Sequence, residues 1–172
     1  HPLEEQRESV KNWRQIGLGV LGVGDLLIRM KLRYGSPESL EFCDKVAKKI
    51  IDSALKASAL LAKEHGAYPK FKKDKVLKSQ FLLENTSEET LKLIEQYGLR
   101  NSQLLTIAPT GSIGTMLQIS TGIEPNFAFF YTRKTESLHG EDVFYKVFIP
   151  IAKNYMEKHN LMTEEELPDY FV

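Results

Sequence analysis

The segment from Ser36 to Pro69 constrains the fold of this chain more than any other. Ser36 offers an N-cap hydroxyl, Pro37 takes the first helical position, and Glu38 places negative charge in the first turn. Leu40, Cys43, Ala47, Ile50, Ala54, Ala57 and Leu61 then recur on one stripe at helical spacing. Gly66 ends the run and Pro69 lies beyond it. A long amphipathic helix must lay its stripe against other elements, and the rest of the chain supplies mostly helices.

Residues 4–33 carry Val10, Trp13, Ile16, Val20, Val23, Leu27 and Met30 at three- and four-residue steps, which predicts a helix up to the break at Gly35. Lys70 to Lys78 reads as a basic connector. Thr86 and Glu89 form a capping-box pattern for a short helix closed by Gly98. Gln103 to Ile107 is the best strand, and Phe127 to Thr132 is a second. Between them, Thr115 to Ser120 predicts one or two helical turns. Gly140 to His159 reads as a helix burying Val143, Val147, Ile151 and Tyr155, with Pro150 as a kink. Thr163 to Leu167 is a capped turn that Pro168 ends. The expected class is α/β, predominantly helical, with about two strands. Two strands make no independent sheet with both faces covered. That shortfall, an opening on His1-Pro2 and a stop in the apolar run Tyr170-Phe171-Val172 together predict a piece of a larger protein.

Composition narrows the function classes. The chain has 172 residues, 42% hydrophobic and 27% charged, as expected of one ordinary globular domain over residues 1–172. Twenty-three basic residues balance twenty-three acidic ones, so no net field draws it to DNA or to a membrane surface. Cys43 is the single cysteine, which excludes an internal disulfide and makes a cytoplasmic setting the expectation.

Four patterns invite a chemical reading. Gly17-Leu18-Gly19-Val20-Leu21-Gly22 matches the dinucleotide fingerprint G-x-G-x-x-G, which requires a buried strand before its first glycine. The preceding Lys11-Asn12-Trp13-Arg14-Gln15 is no core strand, so the glycines instead predict a helix that another element approaches closely. Cys43 lies on an apolar stripe without a neighbouring His, as a small buried hydrophobe would. The histidines His1, His65, His139 and His159 show no metal-ligand spacing, and His65 and His159 fall near helix C-termini. The fourth pattern is Leu104-Leu105-Thr106-Ile107-Ala108-Pro109-Thr110-Gly111-Ser112-Ile113-Gly114, an apolar strand passing through a turn into a helix. Free N–H groups at such a junction suit a phosphate, although Thr110 and Ser112 could equally cap the helix. Arg133 and Lys134 end the second strand and would add cations if they faced the same mouth.

Leu99-Arg100-Asn101-Ser102, Thr106 to Ile113, Ser120-Thr121-Gly122-Ile123-Glu124-Pro125 and Tyr131-Thr132-Arg133-Lys134 together resemble the catalytic large subunit of ribonucleotide reductases. Ile16 to Leu27 and Ala62 to Pro69 are similar to the same family, in order along nearly the whole chain. The Pro-Thr-Gly-Ser-Ile form resembles the adenosylcobalamin-dependent class more than the one served by a di-iron small subunit. The resemblance implies a ten-stranded α/β barrel in the complete protein, of which this chain is a C-terminal-side piece. It implies conversion of ribonucleoside diphosphates to deoxyribonucleotides, the precursors of DNA replication, by thiyl-radical chemistry, with a thioredoxin-like reductant. Pro109, Thr110, Gly111, Ser112 and Ile113 would hold the substrate phosphates. Gly17 to Gly22 would be a packing helix. The family's radical cysteine, its reducing cysteine pair and their neighbouring Asn and Glu match no position here, so no catalytic or metal-binding residue is assigned and the chain alone is expected to be inactive. Two other classes remain as alternatives: a stand-alone helical interaction module, and a nucleotide-binding regulatory module.

Overall fold

The computed structural model describes residues 2–136 and 142–171. In chain order the elements are α1 (Glu4–Trp13), α2 (Val23–Arg29), α3 (Pro37–His65), α4 (Lys73–Val76), α5 (Gln80–Asn85), α6 (Glu88–Tyr97), α7 (Gly111–Leu117), β1 (Phe130–Glu136), β2 (Asp142–Phe148) and α8 (Pro150–His159). Two 3₁₀ turns, Glu164–Glu166 and Asp169–Phe171, follow. The described chain is predominantly helical with two strands, as the sequence predicts. It divides into two compact units, one made of residues up to Gly19 with Glu41–Thr106, the other of Val20–Leu40 with the residues from Ile107 onward.

In the first unit, α3 packs Leu55 and Ala59 against Tyr68, Leu82, Ile94 and Leu99, all buried. The helix has the expected bounds, with the Ser36 hydroxyl accepting the Ser39 N–H and Gly66 left-handed beyond its end. Its inward face differs from the predicted stripe. Leu40 is 62% and Leu61 45% exposed, whereas Leu55, Ser58, Ala59 and Ala62 are buried. The buried face is rotated by roughly 100°, one residue's turn. α3 is apolar on two adjoining sides, and the small Ser58, Ala59 and Ala62 let neighbouring elements come closer than Leu40 and Leu61 would. Helical period alone cannot choose between two such stripes.

The predicted helix over residues 4–33 is two helices separated by an extended segment. Arg14 is left-handed (φ 48°) and ends α1, and the Asn101 side-chain amide donates to its carbonyl at 2.9 Å. Leu18 then pairs in parallel with Leu105 through Leu18 N–H to Leu104 O at 2.9 Å and Thr106 N–H to Leu18 O at 3.0 Å. The poor helix propensity of Gly17 and Gly19 concedes this segment to the strand-like pairing. The predicted strand over Gln103–Ile107 is reduced to that single bridge. At α6 the cap moves from Thr86 to Ser87, whose hydroxyl accepts the Thr90 N–H at 3.3 Å. The Ser87 N–H and hydroxyl both donate to Asp52 on α3 at 2.9 Å, an anchor that Thr86 lacks. The connector predicted over Lys70–Lys78 contains α4, and α5 was not anticipated.

In the second unit, β1 and β2 form an antiparallel pair with Phe130 opposite Phe148 and Glu136 opposite Asp142. The helix predicted over Gly140–His159 is therefore a strand followed by a shorter helix; Gly140 itself lies outside the described residues. Val143, Phe144, Tyr145, Val147 and Phe148 are β-branched or aromatic, and strand pairing overrides the helical spacing of a few of them. Pro150 starts α8 rather than kinking it, because the first helical position has no intrahelical use for an N–H. Ile28, Ala152 and Phe171 are buried together, flanked by Phe129, Ile149, Tyr155 and Leu167. The expected capped turn is present, with the Glu166 carboxylate accepting the Thr163 N–H at 2.9 Å.

Candidate functional site

The segment from Ala108 to Asn126 lies wholly in the second unit, and its local geometry follows from two tight turns. Thr110 is left-handed (φ 49°), which reverses the chain immediately after Pro109 and starts α7 at Gly111. The helix begins about four residues earlier than Thr115, where the sequence suggests. Ser112 and Ile113 are therefore first-turn residues rather than loop. A helix's first N–H groups have no intrahelical acceptor. Those of Gly111, Ser112 and Ile113 donate to no other described residue. Gly111 and Ser112 are exposed, Ile113 is half exposed, and a Cβ added at Gly111 would meet nothing within 4 Å.

Thr110 occupies the N-cap position, but its side chain does not cap α7. Its Oγ1 accepts the Gly122 N–H at 2.7 Å, which leaves the hydroxyl proton free to donate elsewhere. Gly122 is left-handed (φ 48°), and a Cβ there would stand 3.0 Å from the Ala108 carbonyl. Ile119 N–H donates to Gly114 O at 3.1 Å. The turn over residues 119–122 thus braces the 108–114 segment by two hydrogen bonds, at Thr110 and Gly114, and passes close to the Ala108 carbonyl. From Leu104 to Ile123 no side chain carries a charge. An anion at this corner would meet backbone N–H groups and hydroxyls, with the positive end of α7 behind them.

A polar cluster that the sequence reading missed supports the 119–122 turn. Asp25, 6% exposed in the first turn of α2, accepts the Ser120 N–H at 3.2 Å and the Asn126 side-chain amide at 3.0 Å, both on Oδ1. Its own N–H donates to Ser120 Oγ at 3.1 Å. The signal available in the sequence was a single acid inside the apolar run Val23 to Ile28.

The other candidates fall elsewhere. Gly17 and Gly19 serve close approach, as predicted, though as extended chain: a Cβ on Gly19 would lie 2.5 Å from the Thr106 carbonyl oxygen. With glycines inside the pairing segment rather than after it, the dinucleotide fingerprint lacks its geometry. Cys43 is a half-buried free thiol on α3. His65 and His159 are the last residues of α3 and α8, and His1 and His139 lie outside the described residues. Arg133 and Lys134 sit within β1, opposite Tyr145 and Phe144, rather than at a strand end. Among the described residues no three His, Cys, Asp or Glu gather as a metal site, and no helix is long and apolar enough to cross a membrane.

The described residues are mainly helical and include an uncharged helix start whose first N–H groups donate to no other described residue. Over residues 1–168 the chain matches the family model of the ribonucleotide reductase barrel domain. It is 31% identical to the ribonucleoside-diphosphate reductase subunit alpha of Chlamydia muridarum, an alignment covering 87% of this chain and 16% of that protein. A vitamin B12-dependent ribonucleoside-diphosphate reductase of Thermoplasma acidophilum is 35% identical over 83% of this chain and 16% of its own length. The subunit alpha of Helicobacter pylori is 35% identical over 65% of this chain and 16% of its own length. The chain belongs to the ribonucleotide reductase barrel-domain family, and it spans 16% of the length of these relatives.

Proposed function

We infer that this chain is part of a ribonucleoside-diphosphate reductase and carries its substrate-phosphate loop, Pro109 to Ile113. The observation that bears most on this reading is the open first turn of α7, with three undonated N–H groups at an uncharged, exposed corner. In the reading, Pro109 and the left-handed Thr110 set the turn. Gly111 lets phosphate oxygens reach the backbone, and the N–H groups of Gly111, Ser112 and Ile113 bind them. The Thr110 and Ser112 hydroxyls donate two further hydrogen bonds. The rest of a ten-stranded barrel completes the ribose and base contacts, both units belong to that one domain, and the parent works in the cytoplasm with a thioredoxin-like reductant.

Reduction itself occurs on cysteines outside this chain, because a mechanism consuming a cysteine pair cannot run on Cys43 alone. The radical generator we propose for the parent is adenosylcobalamin, following the B12-dependent relatives, with a di-iron small subunit as the alternative. The described residues do not build a site for it. A groove of about 250 Å³ lined by Leu77, Leu83, Glu88, Leu91, Lys92 and Glu95 is too small for a corrinoid. The test is reduction of ribonucleoside diphosphates by the full-length parent, with and without added adenosylcobalamin. Cobalamin-dependent formation of deoxyribonucleotides is expected. Absence of reduction with either radical generator would overturn the reading.

A further inference from the structure

We propose that Asp25 is a positioning residue for the phosphate loop, acting through the 119–122 turn; the inference rests on the reading of Pro109 to Ile113 given above. Asp25 is 6% exposed, forms no ion pair with any described cation, and has only neutral hydrogen-bond partners. Taking a carboxylate out of water without a cation is costly, and such a group persists when its lone pairs are met by well-placed donors. Here the donors are the Ser120 N–H at 3.2 Å and the Asn126 amide at 3.0 Å, and the first turn of α2 adds its positive end.

The partners of Asp25 lead in one direction. Ser120, 4% exposed, is gripped on three sides: its N–H by Asp25 Oδ1, its Oγ by the Asp25 N–H, and its carbonyl by the Gly22 N–H at 2.9 Å. On the far side of the same turn, Ile119 N–H holds Gly114 O and Gly122 N–H holds Thr110 Oγ1. The turn has little slack. A Cβ at Gly24 would stand 2.9 Å from Glu124 O, and one at Gly114 would stand 2.8 Å from Thr121 Cγ2. A carboxylate at one end and the loop at the other are thus joined by four consecutive residues with bonds on both sides. If the Asp25 bonds are lost, the Ser120 N–H is orphaned in the interior and the turn must shift to recover a partner. That shift reaches Thr110 and the α7 N–H groups directly.

The test uses the full-length parent and compares Asp25→Ala, Asp25→Asn and the loop double variant Gly111→Val with Ser112→Ala. Asp25→Ala is expected to raise the KM for the ribonucleotide about tenfold or more while kcat stays within about threefold. Asp25→Asn keeps Oδ1 as an acceptor for both donors and is expected to bring KM back to within about threefold of wild type. A merely structural Asp25 would lower the thermal midpoint in both variants and leave KM unmoved, which overturns the proposal. If the loop variant raises KM and Asp25→Ala does not, the positioning role fails while the phosphate reading stands. If the loop variant itself leaves KM unchanged, the phosphate reading fails and this inference with it. Should Asp25→Ala not accumulate as folded protein, Asp25→Glu replaces it, with a KM increase expected from the displaced carboxylate and an unchanged KM contradicting the proposal.

Discussion

The two compact units differ in how each is built internally. In the first, six buried apolar residues form one cluster around α3 and α6, with Ile94 and Ala59 completely buried. The second buries five, Leu27, Ile28, Ala152, Met156 and Phe171, of which only Ile28, Ala152 and Phe171 form a cluster, while Met116 (74%) and Phe127 (87%) stay exposed. The second unit adds to its smaller cluster a buried polar pair, Asp25 and Ser120, with Asn126 also donating to Asp25 and Gly122 to Thr110. Apolar burial is non-directional and scales with the area removed from water. Hydrogen bonds fix positions within a few tenths of an ångström. The candidate loop lies in the unit that adds a buried, hydrogen-bonded polar pair to its apolar packing, as a binding corner needs.

The sharpest way to break this comparison is at the apolar core of the first unit. Ile94→Ala should cost about 2–5 kcal/mol, since it removes a fully buried side chain whose space cannot easily close. Native-state hydrogen exchange over α6 would measure it, and a cost below about 1 kcal/mol would mean the core is loose. A smaller effect is expected from Gly24→Ala in the second unit. The new Cβ would meet the Glu124 carbonyl oxygen at 2.9 Å and Pro125 Cα at 3.2 Å, so backbone must move, at about 1–3 kcal/mol. Faster exchange at Ser120 and Gly122 is the expected signature, because their amides belong to the turn that α2 braces.

The smallest of these effects is at the α6 cap. Ser87→Ala loses the hydroxyl's bonds to Thr90 and Asp52 but keeps the Ser87 N–H on Asp52, with about 1 kcal/mol expected from the missing N-cap. Burial pushes the Asp52 carboxyl up, but the Ser87 N–H and the Thr90 and Ser87 hydroxyls outweigh it, helped by Lys49, and hold it below the ordinary aspartate range. A folded pKa below the unfolded one means this contribution is complete above the unfolded value and fades as pH falls through the folded one. Asp52→Asn should therefore flatten the acid limb of the stability profile. An acid limb identical in wild type and variant would remove Asp52 from the account.

How much of this was legible in the sequence follows the same division. α3 was readable because its signals are local: Ser36, Pro37 and Gly66 act on their own neighbours. The capped turn at Thr163 and Glu166 was readable for the same reason. The break at Arg14 and the strand from Asp142 to Phe148 were not, because each depends on a partner far along the chain. Leu18 needs Leu105, and Phe148 needs Phe130. At the loop, the residue types were visible, but the early start of α7 was not. It follows from a left-handed Thr110 whose hydroxyl is engaged by Gly122, twelve residues away. Asp25 escaped notice because a lone acid in an apolar helix gives no hint of which amides it meets.

The account's central claim is that the first turn of α7 holds the phosphates of a ribonucleotide, and one variant addresses it directly. A Cβ at Gly111 meets nothing within 4 Å and Ser112 is exposed, so Gly111→Val with Ser112→Ala should leave the fold intact. The valine side chain would stand where phosphate oxygens must approach, and the alanine removes a donor. In the full-length parent the account predicts that this double variant, unchanged in thermal midpoint, raises the ribonucleotide KM by about tenfold or more. A folded double variant with wild-type KM would contradict it.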